Sequence, residues 1–179
     1  MALNIFHVLR KLSFLPAHRL LELYPPFLMM GVKITYLSRD NRTLGVRVPL
    51  RWYSRNFHGS MFGGWLCAVS DPFHALLCGR LIPGLDVWSK ANAVEFKRPA
   101  RTDVDFQVTI TDEDLREIHD QLARAGKATH TFQATIRDQA NEVVAHVKNT
   151  VYLRKRQALN GPDTSRPNPA HPDPDLDLS

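Results

Sequence analysis

Only two of the 179 residues are cysteine, and that shortage removes several chemistries at once. Cys67 and Cys78 lie eleven positions apart in one apolar segment. That is too far along a helix for them to bond to each other, and two thiols make neither a disulfide framework nor a zinc site. A reducing cytoplasm is the expected compartment. Long apolar runs are missing too. Arg10, Lys11, His18, Arg19 and Glu22 interrupt the N-terminal third, so no stretch reaches the roughly 18 to 20 residues of a membrane span. The opening "MALNIFHVLRKLSFL" lacks a small-residue cleavage site after a proper apolar core and reads as mature protein, with basic and apolar residues suited to a weak membrane-surface contact. His119, His130 and His146 show no metal-ligand spacing, and no nucleic-acid module accompanies Trp52, Trp65 and Trp88. The expectation is therefore no metal, no cofactor and no nucleic-acid partner.

An apolar content of 44% supplies the core of one ordinary domain. The formal net charge is +5, but residues 157–179 hold four Asp and one Arg, so residues 1–156 carry +8. A basic body suits an anionic ligand, a nucleic acid or a membrane surface, and composition alone does not choose among them. The tail has five prolines, no aromatic residue and no apolar period, which reads as a disordered segment. The organisation expected is an N-terminal helical segment at 1–29, a domain at 30–156 and a tail at 157–179.

Periodicity divides the body. "LPAHRLLELYPPF" reads as a short helix that Pro25 and Pro26 stop. "GVKITYLSRD" and "TLGVRVPL" read as a first hairpin, "DVWSKANAVEFKR" as an extended segment, and "DVDFQVTIT" as a strand with one buried face. "DEDLREIHDQLARAG" has an acidic first turn, an apolar stripe at Leu115, Ile118 and Leu122, and Gly126 as its stop, hence a surface helix over about 112–125. "KATHTFQATIRD" and "EVVAHVKNTVYLRK" form a second hairpin around "DQAN". The result is an α+β domain of about six mostly antiparallel strands. Its one long helix, about 62–79, is apolar nearly all round and so belongs against the concave face of a curled sheet.

That helix carries the odd residues of "NFHGSMFGGWLCAVSDPFHALLCG". Gly63 and Gly64 fall in its first turn, where N–H groups have no intrahelical partner and can bind an anion or polarise a carbonyl. Asp71, seven residues past Gly64, shares their stripe. A partly desolvated carboxylate there can serve as a nucleophile or as a general base on water, with His74 at i+3 placed to pair with it. The same residues also fit a plainer account, in which the glycines allow close packing and Asp71 caps a helical segment restarted at Pro72.

The order of elements and "NFHGSMFGGWLCAVSD" resemble the hotdog-fold acyl-CoA thioesterase superfamily, especially its phenylacetate-pathway type. Such members carry an Asn, a Gly three residues on, His-Gly-Gly, and an acidic residue fifteen positions after the Asn. Here those slots hold Asn56, Gly59, Phe62-Gly63-Gly64 and Asp71. "VEFKRPAR" is similar to the family's strand-end element at Phe96, Pro99 and Ala100. Phe62, in place of His, resembles a Phe-Gly-Gly branch catalogued mainly as domains of unknown function. The resemblance implies a hotdog fold, a homodimer or tetramer with sites at the dimer interface, and hydrolysis of a thioester of coenzyme A or acyl carrier protein. Coenzyme A enters only as part of the substrate. Asp71 would be base or nucleophile, Asn56 would hold the attacking water or the thioester, and the Gly64 N–H would polarise the carbonyl. Gly63, His58 and Phe62 would border the substrate, and Lys90, Lys97 and Arg98, with Arg101, would meet phosphates. A non-catalytic acyl-thioester-binding module and a dehydratase or hydratase on the same fold are the alternatives.

Overall fold

The computed structural model describes residues 21–156. The first 20 residues and the expected tail at 157–179 lie outside the described residues. Helical residues Leu21 and Glu22 end before the prolines, as expected, and Pro25 and Pro26 also begin a new helix: α1 is Pro25–Met30, with proline in its first turn and Gly31, at φ +68°, closing it. Proline is tolerated there because a first-turn N–H has no intrahelical acceptor to lose. Glu22, buried just before it, accepts from the Ile34 N–H (2.9 Å) and from Lys33 Nζ (3.3 Å), tying this segment to the sheet.

Six strands follow: β1 (Lys33–Leu37), β2 (Thr43–Val48), β3 (Leu85–Phe96), β4 (Val104–Thr109), β5 (Lys127–Asp138) and β6 (Val143–Lys155). They form one sheet in the order β1-β2-β4-β5-β6-β3, with antiparallel neighbours throughout. Strand β3 is an edge, paired only with β6. Alternation sets the faces. Leu44, Val46 and Val48 of β2 point inward with Val104, Phe106 and Val108 of β4, while Arg47 and Asp105 meet on the outer face at 2.7 Å.

The expected long helix is two: α2 (Gly63–Ser70) and α3 (Pro72–Leu81), joined at Asp71, which keeps right-handed helical geometry at φ −68°, ψ −51°. The break has a chemical cause, since Pro72 lacks the N–H that would bond to the Ala68 carbonyl. Both pieces lie against the concave face. Phe73 sits at zero exposure between Phe27 (ring centroids 5.1 Å apart) and Phe106 (5.9 Å), and burial of one such ring stabilises the fold by about 1.5–3 kcal/mol. The surface helix is α4 (Asp112–Ala125), started by a reciprocal Thr111–Asp114 capping box and ended at Gly126 with φ +67°. The expected α+β architecture, a curled antiparallel sheet wrapped around a central helix, is the one observed.

Candidate active site

The loop that enters α2 is organised by one amide. Asn56 Oδ1 accepts from the N–H groups of His58 (2.9 Å) and Ser60 (3.2 Å), and Asn56 Nδ2 donates to Ser60 Oγ (2.9 Å). Gly59, at φ +76°, turns the chain between them. The loop is then pinned at both ends, the Met61 N–H bonding to the Ala100 carbonyl (2.8 Å) and the Phe62 N–H to that of Ser54 (2.8 Å). This pinning draws the 56–66 and 96–101 segments into one open groove of about 530 Å³, lined by Asn56, His58, Gly63, Phe96, Lys97 and Arg98 among others. All six were singled out in the sequence, and they converge from two separate segments. Asn56 holds the shape of the groove as well as lining it, because its carbonyl oxygen already carries two N–H bonds.

At the floor of the groove the helix begins. Among the described residues the N–H groups of Gly63 and Gly64 have no hydrogen-bond partner, whereas the Trp65 N–H bonds to the Phe62 carbonyl (2.9 Å). Both glycines are small for a packing reason too. A Cβ on Gly63 would stand 3.1 Å from the Phe96 ring, and one on Gly64 would collide with the ring of Phe62. Phe62 itself is 55% exposed, so its ring shields one side of Gly64 and leaves its own outer face to solvent.

Asp71 lies outside this groove, seven residues or roughly 10 Å along the helix axis from Gly64. It does not cap α3. Its half-buried carboxylate has no hydrogen bond or ion pair among the described residues, while its backbone carbonyl accepts from Ser89 Oγ at 2.9 Å. Asn92 Nδ2 reaches the Cys67 carbonyl and Ser70 Oγ, both at 3.0 Å, and fully buried Asn149 donates to Ser89 Oγ (3.3 Å) and Asn92 Oδ1 (3.4 Å). Ser89 and Asn92 of β3 therefore serve backbone carbonyls at the helix break, and Asn149 of β6 braces those two side chains. The sequence reading missed all three. Asn149 was the visible signal, an amide amid inward-facing Val147, Val151 and Leu153. Ser89 and Asn92 were masked by a bulge between Ser89 and Ala91 that changes which positions face inward.

His74 does not pair with Asp71. Its ring stacks on Phe132 (centroids 4.8 Å apart, planes 7° apart), fully buried, with neither nitrogen hydrogen-bonded. Burial pushes its pKa down to about 4, against the opposing pull of Asp114, with His130 adding to the depression. His58 lines the groove instead, so within one chain neither histidine sits beside the carboxylate. Burial also drives the Cys78 thiol up to about 12, which leaves it inert as a nucleophile. His130 bonds Asp114 at 2.7 Å under α4. Burial works to raise the Asp114 pKa, but hydrogen bonds from Thr111 and His130 outweigh it and hold the carboxyl below its ordinary value.

Three of the four cations grouped in the sequence, Lys97, Arg98 and Arg101, line the groove, and Lys90 stands apart, facing a different hollow near α4. Lys97 pairs with Glu95, and Arg98 with Glu142 at 3.0 Å. No group of three metal-ligating side chains occurs among the described residues, and no described helix is long and apolar enough to cross a membrane.

The chain belongs to the family described as Domain of unknown function (DUF4442), whose model matches residues 17–153. Comparison with curated proteins gives no match. Among solved structures, the chain is similar to PA5026 of Pseudomonas aeruginosa, a protein of unknown function described as a "Probable Thioesterase" (23% identity, TM-score 0.71, covering 79% of this chain and 97% of that one). It is similar to the thioesterase HI1161 of Haemophilus influenzae (14%, 0.61, 79% and 90%). It also resembles the PaaI protein of the phenylacetic acid degradation operon of E. coli (20%, 0.58, 79% and 91%). These likenesses establish the hotdog fold.

Proposed function

We propose that this protein is a thioesterase that hydrolyses an acyl thioester, carried on coenzyme A or acyl carrier protein, to a free acid and a thiol. The observation that carries the reading is the Asp71 carboxylate, half-buried at a break in the central helix and unengaged by any described residue. A carboxylate held at a helix break with no partner among the described residues is free to act on a bound water. As general base, Asp71 takes a proton from water while the oxygen adds to the thioester carbon. The carbonyl electrons move onto oxygen, where the Gly64 N–H and the positive end of α2 stabilise them. Collapse breaks the C–S bond, and the departing thiolate takes the proton back from Asp71. Direct attack by the carboxylate, followed by water on the resulting anhydride, is the nucleophilic variant of the same role.

Since Gly64 and Asp71 of one chain are roughly 10 Å apart along the helix, the reading places them around one carbonyl from two copies of the chain. Strand β3 supports such pairing: it is twelve residues long and open along one edge, and such an edge is ordinarily covered. A homodimer, or a tetramer of two such pairs, is the working assembly.

Phe62 favours a second reading, a module that binds acyl thioesters without turnover, because its ring crowds the side of Gly64 where a substrate would lie. Thiol release from short, long and aromatic acyl-CoAs, compared between wild type and Asp71→Ala, separates the two. Turnover that drops by about a hundredfold or more in a folded variant supports the thioesterase. Binding of acyl-CoA with no turnover in either protein makes it a binding module. Full activity in the variant removes Asp71 from the site.

A further inference from the structure

Large apolar side chains are exposed unevenly over this molecule. Of the ten that stand open to solvent among the described residues, five are Leu28 and Met29 on α1 and Trp52, Tyr53 and Phe57 in the segment that leads to the groove. Trp52 is 85% exposed and Phe57 fully so. Contacts join the two segments. The Tyr53 ring lies against Trp52 (centroids 5.4 Å apart) and Trp65 of α2 (6.2 Å), and a Cβ on Gly31 would stand 3.6 Å from Tyr53 Oη, so this segment abuts the end of α1. Phe57 stands at the tip of a loop closed by a bridge between Arg55 and Met61, and the same loop carries Asn56 and His58 of the groove. The patch therefore reaches the groove's mouth.

Its charge has one sign. From Asn41 to Ser70 the chain contains no Asp or Glu. Arg51 and Arg55 are exposed and make no ion pair among the described residues, Arg55 donating only to the Gly59 carbonyl (2.7 Å). Residues 1–20, which lead into α1, add Arg10, Lys11 and Arg19 and again no acid. Contiguous exposed apolar side chains rimmed by polar ones mark a contact surface. Trp and Tyr rings favour the headgroup level of a bilayer, and each cation beside them adds attraction to anionic lipid. A second copy fits worse, because a two-fold contact sets a patch against itself and would here bring arginine to arginine with no carboxylate between them.

We infer that the surface made by α1 and residues 51–57 docks on an anionic phospholipid membrane and turns the mouth of the groove toward the lipid. The protein lies on the bilayer in this arrangement, since no described helix is long and apolar enough to cross one. Docking of this kind needs neither turnover nor the Asp71 carboxylate, so it holds for a thioesterase and for a binding module alike.

The test is flotation of the full chain with vesicles of phosphatidylcholine and phosphatidylserine in equal parts, against vesicles of phosphatidylcholine alone. Binding to the mixed vesicles is expected, falling as salt rises. It should weaken about tenfold or more in Trp52→Ser/Phe57→Ser and in Arg51→Glu/Arg55→Glu, and persist in Tyr36→Ser, which removes an exposed ring from β1. Either double variant that keeps the wild-type circular dichroism is enough to decide. No binding by wild type, equal affinity for the two vesicles, undiminished binding in a folded double variant, or an equal loss in Tyr36→Ser overturns the inference. A lower sedimenting mass in Trp52→Ser/Phe57→Ser overturns it too, by making the patch an interface between copies. Tighter binding of a single-stranded RNA oligonucleotide than of the mixed vesicles, lost with the same arginines, overturns it in favour of a nucleic-acid surface.

Discussion

The two asparagines near Asp71, half-buried Asn92 and fully buried Asn149, answer substitution in opposite ways. Asn92 Nδ2 makes both of its bonds at 3.0 Å, to the Cys67 carbonyl and to Ser70 Oγ, and its Oδ1 receives Asn149. Asn92→Ala deletes all three bonds and leaves a space, so a loss of about 2–3 kcal/mol is expected, at about 1 kcal/mol net for each bond. Asn149 is different. Its two donated bonds are long, at 3.3 and 3.4 Å, and its Oδ1 is buried with no partner. Asn149→Leu removes the stranded oxygen, worth about 1–3 kcal/mol, together with two weak bonds worth about 1 kcal/mol or less each, so the change is close to neutral. Urea unfolding of both variants measures the difference directly, with the midpoint shifting and the slope unchanged. A loss above about 2 kcal/mol in Asn149→Leu would refute the reasoning, because it would mean that Oδ1 is satisfied in the working protein.

Two further outcomes follow from burial and crowding. His74 titrates near 4 in the fold against 6.5 ordinarily; between those values the unfolded chain binds more protons, so its contribution is intact above pH 6.5 and lost as pH falls toward 4, by about 3 kcal/mol in all. Urea midpoints measured from pH 7 to 4 should fall less steeply for His74→Leu than for wild type, and parallel curves would remove His74 as the cause. A Cβ on Gly45 would stand 2.7 Å from Thr35 Oγ1 and 3.2 Å from Tyr36 Cβ, at the β1 bulge. Gly45→Ala is expected to cost about 1–3 kcal/mol by overpacking, and an unchanged melting temperature would show that β1 yields freely.

Much of this fold was legible because five of the six strands bury residues on one face, β3 being the exception. The alternation at Val104, Phe106 and Val108, and the acidic start and glycine stop of α4, needed no long-range information. Local signals erred where a residue has two uses. Pro25 and Pro26 read only as a stop and also serve as a start, and Pro72 divides what hydrophobicity joins. The groove residues were readable as a motif, but their convergence depends on the Met61 bond to Ala100, which no local pattern announces. His74 read as a partner for Asp71 because the two are three apart. In the fold that side of the helix is claimed by Phe132, which no helical spacing reveals.

The division of the candidate residues between two places has a consequence for how the proposed activity can be lost and regained. In one chain the open N–H groups lie at the start of α2 beside Asn56, and the carboxylate lies at its far end beside Ser89. If hydrolysis needs both, each site takes Asp71 from one copy and the groove from the other, as a two-fold pair allows. Asp71→Ala and Asn56→Ala should each be nearly inactive alone. Mixed, refolded together and allowed to exchange subunits, they should recover about a quarter of wild-type turnover, since half the pairs are mixed and one of the two sites in each is intact. A site contained within one chain predicts no recovery at any mixing ratio. Thiol release from the mixture, with subunit exchange verified by mass, distinguishes the two arrangements without a structure of the pair, and failure to recover activity after verified exchange would return both roles to a single chain.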